Sequence, residues 1–203
     1  MKASVIKINP ANPDKRKIAI AAKVIREGGL VVFPTETVYG IAANLLDGKA
    51  MERLYRVKAR PERKPFTVHI SDLKAIRDMG CVITGTAEKL ITEFWPGPLT
   101  IILKSHKGEK IGFRMPSDKA ALELIRASGV PVVAPSANLS GKPPPVTAEE
   151  AMADLEGKID MVIDGGRAEV GLESTVVDLT VDPFKVLRAG AIKEEKLSKA
   201  LNG

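Results

Sequence analysis

The sequence predicts a single α/β domain of three layers, with a twisted mixed β-sheet flanked by helices. Two observations carry that prediction. Segments with apolar residues at helical spacing alternate along the chain with short apolar runs of strand length. The last such runs lie at hairpin-like spacings, which brings antiparallel pairs into the sheet. Taken in order, residues 14–27 place Ile18, Ala21, Ala22 and Ile25 on one helical face and stop at Gly28-Gly29. "LVVFP" follows as a buried strand. Residues 49–59 read as a helix ended by Pro61, and "FTVHI" at 66–70 as a strand. Ser71 and Thr86 stand where they would cap two further helices, the second halted by "WPGP". "LTIILK" and "IGFR" read as strands. Ser117 is the expected cap of a helix ending at Gly129, which feeds the strand "VPVVA" at 130–134. Thr147-x-x-Glu150 is a capping box opening another helix. "DMVID", "STVVDL" and "FKVLR" are three late strands, and a short helix closes the chain.

Composition narrows the function classes. The 203 residues show no internal repeat, linker or low-complexity tract, so one domain spanning 1–203 is expected. Aromatic residues make up 4%, so the core must be built from Val, Ile, Leu and Ala. The formal net charge of +6 favours anionic partners such as nucleotides or RNA. Cys81 is the only cysteine, which excludes an internal disulfide and a cysteine-based zinc site. The segment "MKASVIKINPANPDKRK" lacks the apolar run of a signal peptide, and no apolar stretch approaches the ~18 residues of a membrane span. A cytoplasmic protein with no membrane partner is expected.

The chemistry-bearing residues cluster where strands end. "PSANLSG" leaves a buried strand at Pro135 and offers Ser136, Asn138 and Ser140, with Pro143 to Pro145 stiffening the exit. Loops at strand ends are where ligands gather in such sheets. In "ERLYRVKARPERK", Lys58 falls on the same helical face as Met51, Leu54 and Tyr55. Such a lysine either reaches an anion in a cleft or offsets the helix dipole while snorkelling to water. Arg60 can point the same way, and the pair would make a phosphate clamp. Arg53, Arg56, Arg63 and Lys64 read as a solvated basic face that could also meet nucleic acid. Thr35 in "FPTETVYGIAAN" either reads a polar ligand or satisfies the backbone of a turn. His69 shares a face with Thr67 and Ser71, as a structural group or as a catalyst. His106 is too distant in character and spacing to complete a metal site or triad with it. Arg114 and Arg188 each end a short strand, reaching across a pocket or lying on the surface. Ser174 and Thr175 stand at another strand entrance. No Walker loop or G-x-G-x-x-G is present.

Seven segments in order, "FPTETVYGIAAN", "KARPERKPFTVHI", "FWPGPLTIIL", "FRMP", "PSANLSGKPPPVT", "GLESTVVDL" and "VLRAGAI", resemble the YrdC family of threonylcarbamoyl-AMP synthases, over a core of about residues 15–192. The pattern is similar to the short form, since little chain follows the last segment. Two departures are visible: "RAG" stands where "RPG" is common, loosening the turn after Arg188, and "KPPPVT" varies the usual proline pattern. The resemblance implies a reaction of L-threonine, bicarbonate and ATP to threonylcarbamoyl-AMP and diphosphate, feeding tRNA modification. It implies that Lys58 and Arg60 neutralise phosphates and that Ser136, Asn138, Ser140 and Arg188 hold the nucleotide. It assigns Thr35, His69, Arg114 and Ser174 to threonine, with Thr37 and Tyr39 nearby. Mg²⁺ would arrive with ATP, without a metal site of the protein's own. The expected partners are these substrates, the carbamoyl-transfer machinery that modifies tRNA, and RNA. A rival class is a basic RNA-binding module without chemistry, against which the few aromatic platforms weigh.

Overall fold

Val31 and Phe33 point to one side of their strand while Leu30 and Val32 point to the other, and this period of two sorts the core into two clusters. The computed structural model describes residues 3–60 and 65–202, and within them a ten-stranded mixed sheet in the order β1-β8-β2-β3-β7-β4-β6-β5-β9-β10. Its strands are β1 (Ser4–Lys7), β2 (Val31–Phe33), β3 (Gly40–Asn44), β4 (Val68–His69), β5 (Leu99–Lys104), β6 (Lys110–Arg114), β7 (Val132–Val133), β8 (Met161–Asp164), β9 (Thr175–Asp178) and β10 (Lys185–Arg188). The helices are α1 (Lys15–Arg26), α2 (Gly48–Lys58), α3 (Lys74–Asp78), α4 (Gly85–Phe94), α5 (Lys119–Ser128), α6 (Ala148–Leu155) and α7 (Glu194–Asn202).

One core cluster packs Ile18, Ala21, Ala22 and Ile25 of α1 and Ala120, Ala121 and Leu124 of α5 against Val31, Phe33, Ala42 and Val132. The other packs α2, α4, α6 and α7 against the opposite face, through Leu54, Leu90, Leu155 and Leu197. This is the three-layer arrangement expected. The first cluster covers only part of its face, however. Val132 of β7 pairs with His69 of β4, so both lie on the α1/α5 side of the sheet. Beyond β7 no residue of β4, β6, β5, β9 or β10 joins that cluster. Leu99, Ile101 and Leu103 of β5 enter the opposite core, while Thr100 and Ile102 line a cleft. The bare half-face is where the functional groups collect.

Local chemistry moved several expected boundaries. The cap of α4 is Thr84, accepting from Ala87 N at 3.3 Å, so Thr86 lies inside the helix. Asp118, not Ser117, caps α5, because a carboxylate one residue on accepts from Ala121 N at 2.8 Å. Ser71 caps nothing at α3, where the Asp72 carboxylate takes the Lys74 N–H instead. Thr147 caps α6 as expected, but Glu150 reaches back to Val146 N. The strands β1 and β3 were not foreseen. "SVIK" is exposed enough to look like loop, and "GIAAN" hides behind the threonine-rich turn before it. The expected strands at 66–70 and 130–134 shorten to two residues each. Pro61, Arg63 and Lys64 lie outside the described residues. The helix α2 instead ends at Ala59, whose left-handed φ of 47° lets Arg60 N donate to Tyr55 O at 3.0 Å. That turn throws Arg60 toward the cleft. No helix among the described residues is long and apolar enough to cross a membrane.

Candidate active site

Strand register lays out the cleft as a grid. His69 pairs with Arg114, Arg114 stands opposite Thr100 across β5, and Thr100 pairs with Val176, which pairs with Arg188. Two residues along the strands, on the same face, Gly112 pairs with Ile102 and lies beside Thr67. These side chains, with Arg60, Phe66, Lys110, Pro135, Ser136, Glu173 and Ser174, line a space of about 490 Å³. Four cations line it, Arg60, Lys110, Arg114 and Arg188, of which the last three are paired with Asp178, Glu36 and Glu173. Six of the ten residues singled out from sequence meet there: Arg60, His69, Arg114, Ser136, Ser174 and Arg188.

Arg114 is 5% exposed. Its Nη2 donates to Glu36 Oε1 at 2.8 Å and to Thr37 Oγ1 at 2.7 Å. The pairing is one-sided: Glu36 Oε2 and Arg114 Nε are both buried without a partner. Sequence reading passed over Glu36; an acid flanked by threonines after a strand was its only signal. His69 is 4% exposed, and its Nδ1 also lacks a partner. Burial, aided by the Arg114 charge, pushes its pKa down to about 3, so the ring is neutral at pH 7.

Ser174 and Arg188 form one unit. Ser174 Oγ lies 2.8 Å from Thr100 Oγ1 and accepts from Arg188 Nη2 at 3.0 Å. Arg188 Nε and Nη2 also donate to Ser174 O, and Nη1 donates to Glu173 Oε1 at 2.7 Å. Ala189 in place of a proline therefore does not release Arg188. Gly190 locks the unit, since a Cβ there would lie 2.4 Å from Glu173 O and 2.6 Å from the Ser174 carbonyl carbon. Gly190→Ala should cost about 1–3 kcal/mol of stability through overpacking. It should also displace Ser174, and denaturant melts alongside ligand titrations would show both losses. Retention of both would contradict this packing.

Lys58 and the "PSAN" loop are bound to each other. The ammonium, 3% exposed, donates to Ser136 O at 2.5 Å, to Asn138 Oδ1 at 3.0 Å and to Asn138 O. It thus stands behind the loop and does not line the cleft. Lys58 O in turn accepts from Ser140 Oγ at 2.6 Å, and Asn138 Nδ2 donates to Lys142 O. Desolvation, with the Arg60 charge second, lowers the Lys58 pKa to about 8. Across the loop, Ala137 N donates to Tyr39 O, and Tyr39 N to Pro145 O at the end of the proline run. Asn138 and Ser140 are therefore loop-building groups here, and Pro135 and Ser136 are the loop residues that line the cleft.

Thr35 is set apart. Its Oγ1 donates to Val38 O at 2.6 Å and accepts from Thr37 N and Val38 N, the turn-satisfying arrangement. It borders a separate hollow of about 290 Å³ with Asp118 and Arg167. Tyr39 ties the same turn to Gly165 and Gly166, and burial raises its pKa to about 12. Arg60 lies 5.0 Å over the Phe66 ring, which stacks on Tyr55 at 4.5 Å. Of the expected basic face, Arg53 is paired with Asp160 and Arg56 with Glu52.

Fold and site together define a class: α/β proteins that present an arginine-lined cleft on the bare half of a mixed sheet. The Sua5/YciO/YrdC family model, described as telomere recombination, matches residues 23–190, and the chain belongs to that family. It is 44% identical to the threonylcarbamoyl-AMP synthase of Pyrococcus abyssi over 91% of its own length and 57% of that relative's. The chain thus spans less than three fifths of that relative. The crystal structure of P. abyssi Sua5 complexed with L-threonine superposes with a TM-score of 0.92 at 42% identity, covering 97% of this chain and 60% of that one. E. coli YciO superposes with a TM-score of 0.85 at 32% identity, covering 96% and 98%.

Proposed function

We propose that this chain forms threonylcarbamoyl-AMP and diphosphate from L-threonine, bicarbonate and ATP, as a nucleotidyltransferase serving tRNA modification. The observation that carries the reading is the shared cleft. A guanidinium suited to a carboxylate, Arg114, sits in the same space as Arg60 and Ser136, which suit phosphate oxygens. The naming of the P. abyssi relative and its complex with L-threonine support it.

In this reading threonine occupies the row of His69, Arg114, Thr100 and Ser174. Its carboxylate meets Arg114, whose charge Glu36 balances from behind. Its hydroxyl meets His69 Nδ1 or Ser174 Oγ, and the neutral ring adds no charge that would repel the amine. The ammonium of threonine first loses a proton, and the free amine then condenses with bicarbonate to a carbamate with loss of water. A carbamate oxygen then attacks the α-phosphorus of ATP, the bond to the bridging oxygen breaks, and diphosphate leaves. The protein's contribution is positioning and charge compensation, and such traps offset ~7–11 kcal/mol of barrier. Arg60 neutralises phosphates directly. Lys58 acts as a positioning residue through the loop that carries Ser136, with Asn138 and Ser140 in the same assembly. Arg188 acts through Ser174 and Glu173. Thr35 shapes the turn that carries Glu36 and Thr37. Mg²⁺ enters with ATP as part of the substrate.

Reaction in the cytoplasm, with the product passed to the carbamoyl-transfer machinery that modifies tRNA, completes the proposal. The rival RNA-binding reading rests on the +6 charge. The pairing of Arg53 and Arg56 with acids weakens it. Diphosphate release from ATP decides the matter: it should require threonine and bicarbonate together. Equal release with serine, or with no amino acid, would reject the proposal.

A further inference from the structure

Thr175 opens β9 on the side that faces the helical core, two residues before the core residue Val177, and it is 1% exposed. Valine would have nearly the same shape there. A buried hydroxyl costs stability unless it is bonded, so its presence in that core needs a reason. The reason is one residue beyond β10. Thr175 Oγ1 donates to Ile192 O at 2.7 Å and accepts from Ile192 N at 2.9 Å. A single hydroxyl thus serves both backbone groups of Ile192.

That clasp fastens a strap. Residues 189–192, between β10 and α7, have no regular structure, yet they run beside residues 173–175. Ala191 N donates to Glu173 O at 3.0 Å, and Arg188 Nε and Nη2 donate to Ser174 O at 3.1 and 2.9 Å. Gly190 lies against both carbonyls. On the other side Thr175 N donates to Pro98 O at 3.0 Å, at the entrance of β5. Ser174, which lines the cleft, is therefore held through its backbone, while Thr175 ties down the strap from the opposite face of the sheet. Past the clasp, Ile192 enters the same core as Leu197 of α7 and Leu90 of α4. The docking of α7 and the placement of Ser174 meet at one hydroxyl.

We propose that Thr175 is a positioning residue for threonine binding, whose clasp on Ile192 holds the strap that sets where the Ser174 hydroxyl stands in the cleft. This rests on the proposed function and adds to it a residue outside the cleft. Thr175→Val keeps the shape and removes both bonds. Its Kd for L-threonine, taken by calorimetry at a temperature where circular dichroism shows it folded, should rise at least fivefold. Thr175→Ser keeps the hydroxyl and should stay within twofold of wild type. The double variant Ser174→Ala/Thr175→Val should match Ser174→Ala alone within twofold, because the clasp acts through Ser174. Additive losses in the double variant would mean a general loosening and would overturn the inference. Wild-type affinity in Thr175→Val would do the same, as would a loss in Thr175→Ser as large as in Thr175→Val. One measurement needs no variant to fold. In the wild-type protein, saturating L-threonine should slow hydrogen exchange of the Ile192 amide at least threefold, since ligand and clasp are linked. Exchange indifferent to threonine would also overturn the inference. A wild-type protein that binds no threonine would instead count against the proposed function itself.

Discussion

Lys58→Ala is expected to lower turnover by about two orders of magnitude and to weaken nucleotide binding, while leaving L-threonine affinity close to wild type. The reasoning starts from the three oxygens around the ammonium, Ser136 O, Asn138 O and Asn138 Oδ1. A hydrogen bond to a charged group contributes ~1.5–3 kcal/mol, and a buried oxygen left without a donor costs ~1–3 kcal/mol. The "PSAN" loop would lose its anchor, and with it the position of Ser136. Threonine is expected on the other side of the cleft and should be indifferent. Lys58→Arg should recover only part of the loss, since a planar fork does not match three oxygens converging on one point. The pH profile tests the same arrangement. Burial lowers the Lys58 pKa from 10.5 to about 8, so activity that needs the ammonium should decline as pH rises through about 8. Stability moves the other way. Between about 8 and 10.5 the unfolded chain binds the proton that the folded chain has lost, so this residue's contribution to stability rises with pH across that window. Wild-type kinetics and an unaltered profile in Lys58→Ala would show that the loop holds itself.

Arg114→Ala should abolish measurable threonine binding and spare nucleotide binding. It should also destabilise the protein by about 3–5 kcal/mol, because Glu36 would be left buried without its partner. A double variant separates the two effects. Glu36→Gln with Arg114→Met removes both charges, and exchanging a buried ion pair for neutral groups is often near neutral in stability. The double variant should therefore regain most of its melting temperature and still fail to bind threonine by calorimetry. Glu36→Gln alone should lower the stability of the ligand-free protein, and saturating threonine should restore part of it as its carboxylate takes over the balancing charge. Threonine binding by the double variant would refute the assignment of Arg114. Loss of nucleotide binding with threonine binding kept would refute the division of the cleft.

The sequence by itself determined the α/β class, most of the strands and the C-terminal stops of α1, α2, α4 and α5. Those follow from local rules, such as apolar spacing, glycine stops and hydroxyl-rich strand exits. The ordered motifs added the family. Lys58 was legible in part, since helical geometry alone put it on the face of Leu54. What it meets there was not legible, because its partners lie some eighty residues away in sequence. The same holds for Glu36 behind Arg114 and for Arg188 gripping Ser174. Thr35 was ambiguous because a turn and a ligand make the same demand on a hydroxyl. Only the tertiary structure decided that β3 joins the strands between α1 and the "PSAN" loop, and that α1 and α5 cover one half of a sheet face and leave the other bare. Period two tells which residues share a face but not what covers it. Cover depends on where the helices pack, and that is set by the summed shape of both cores rather than by any one segment.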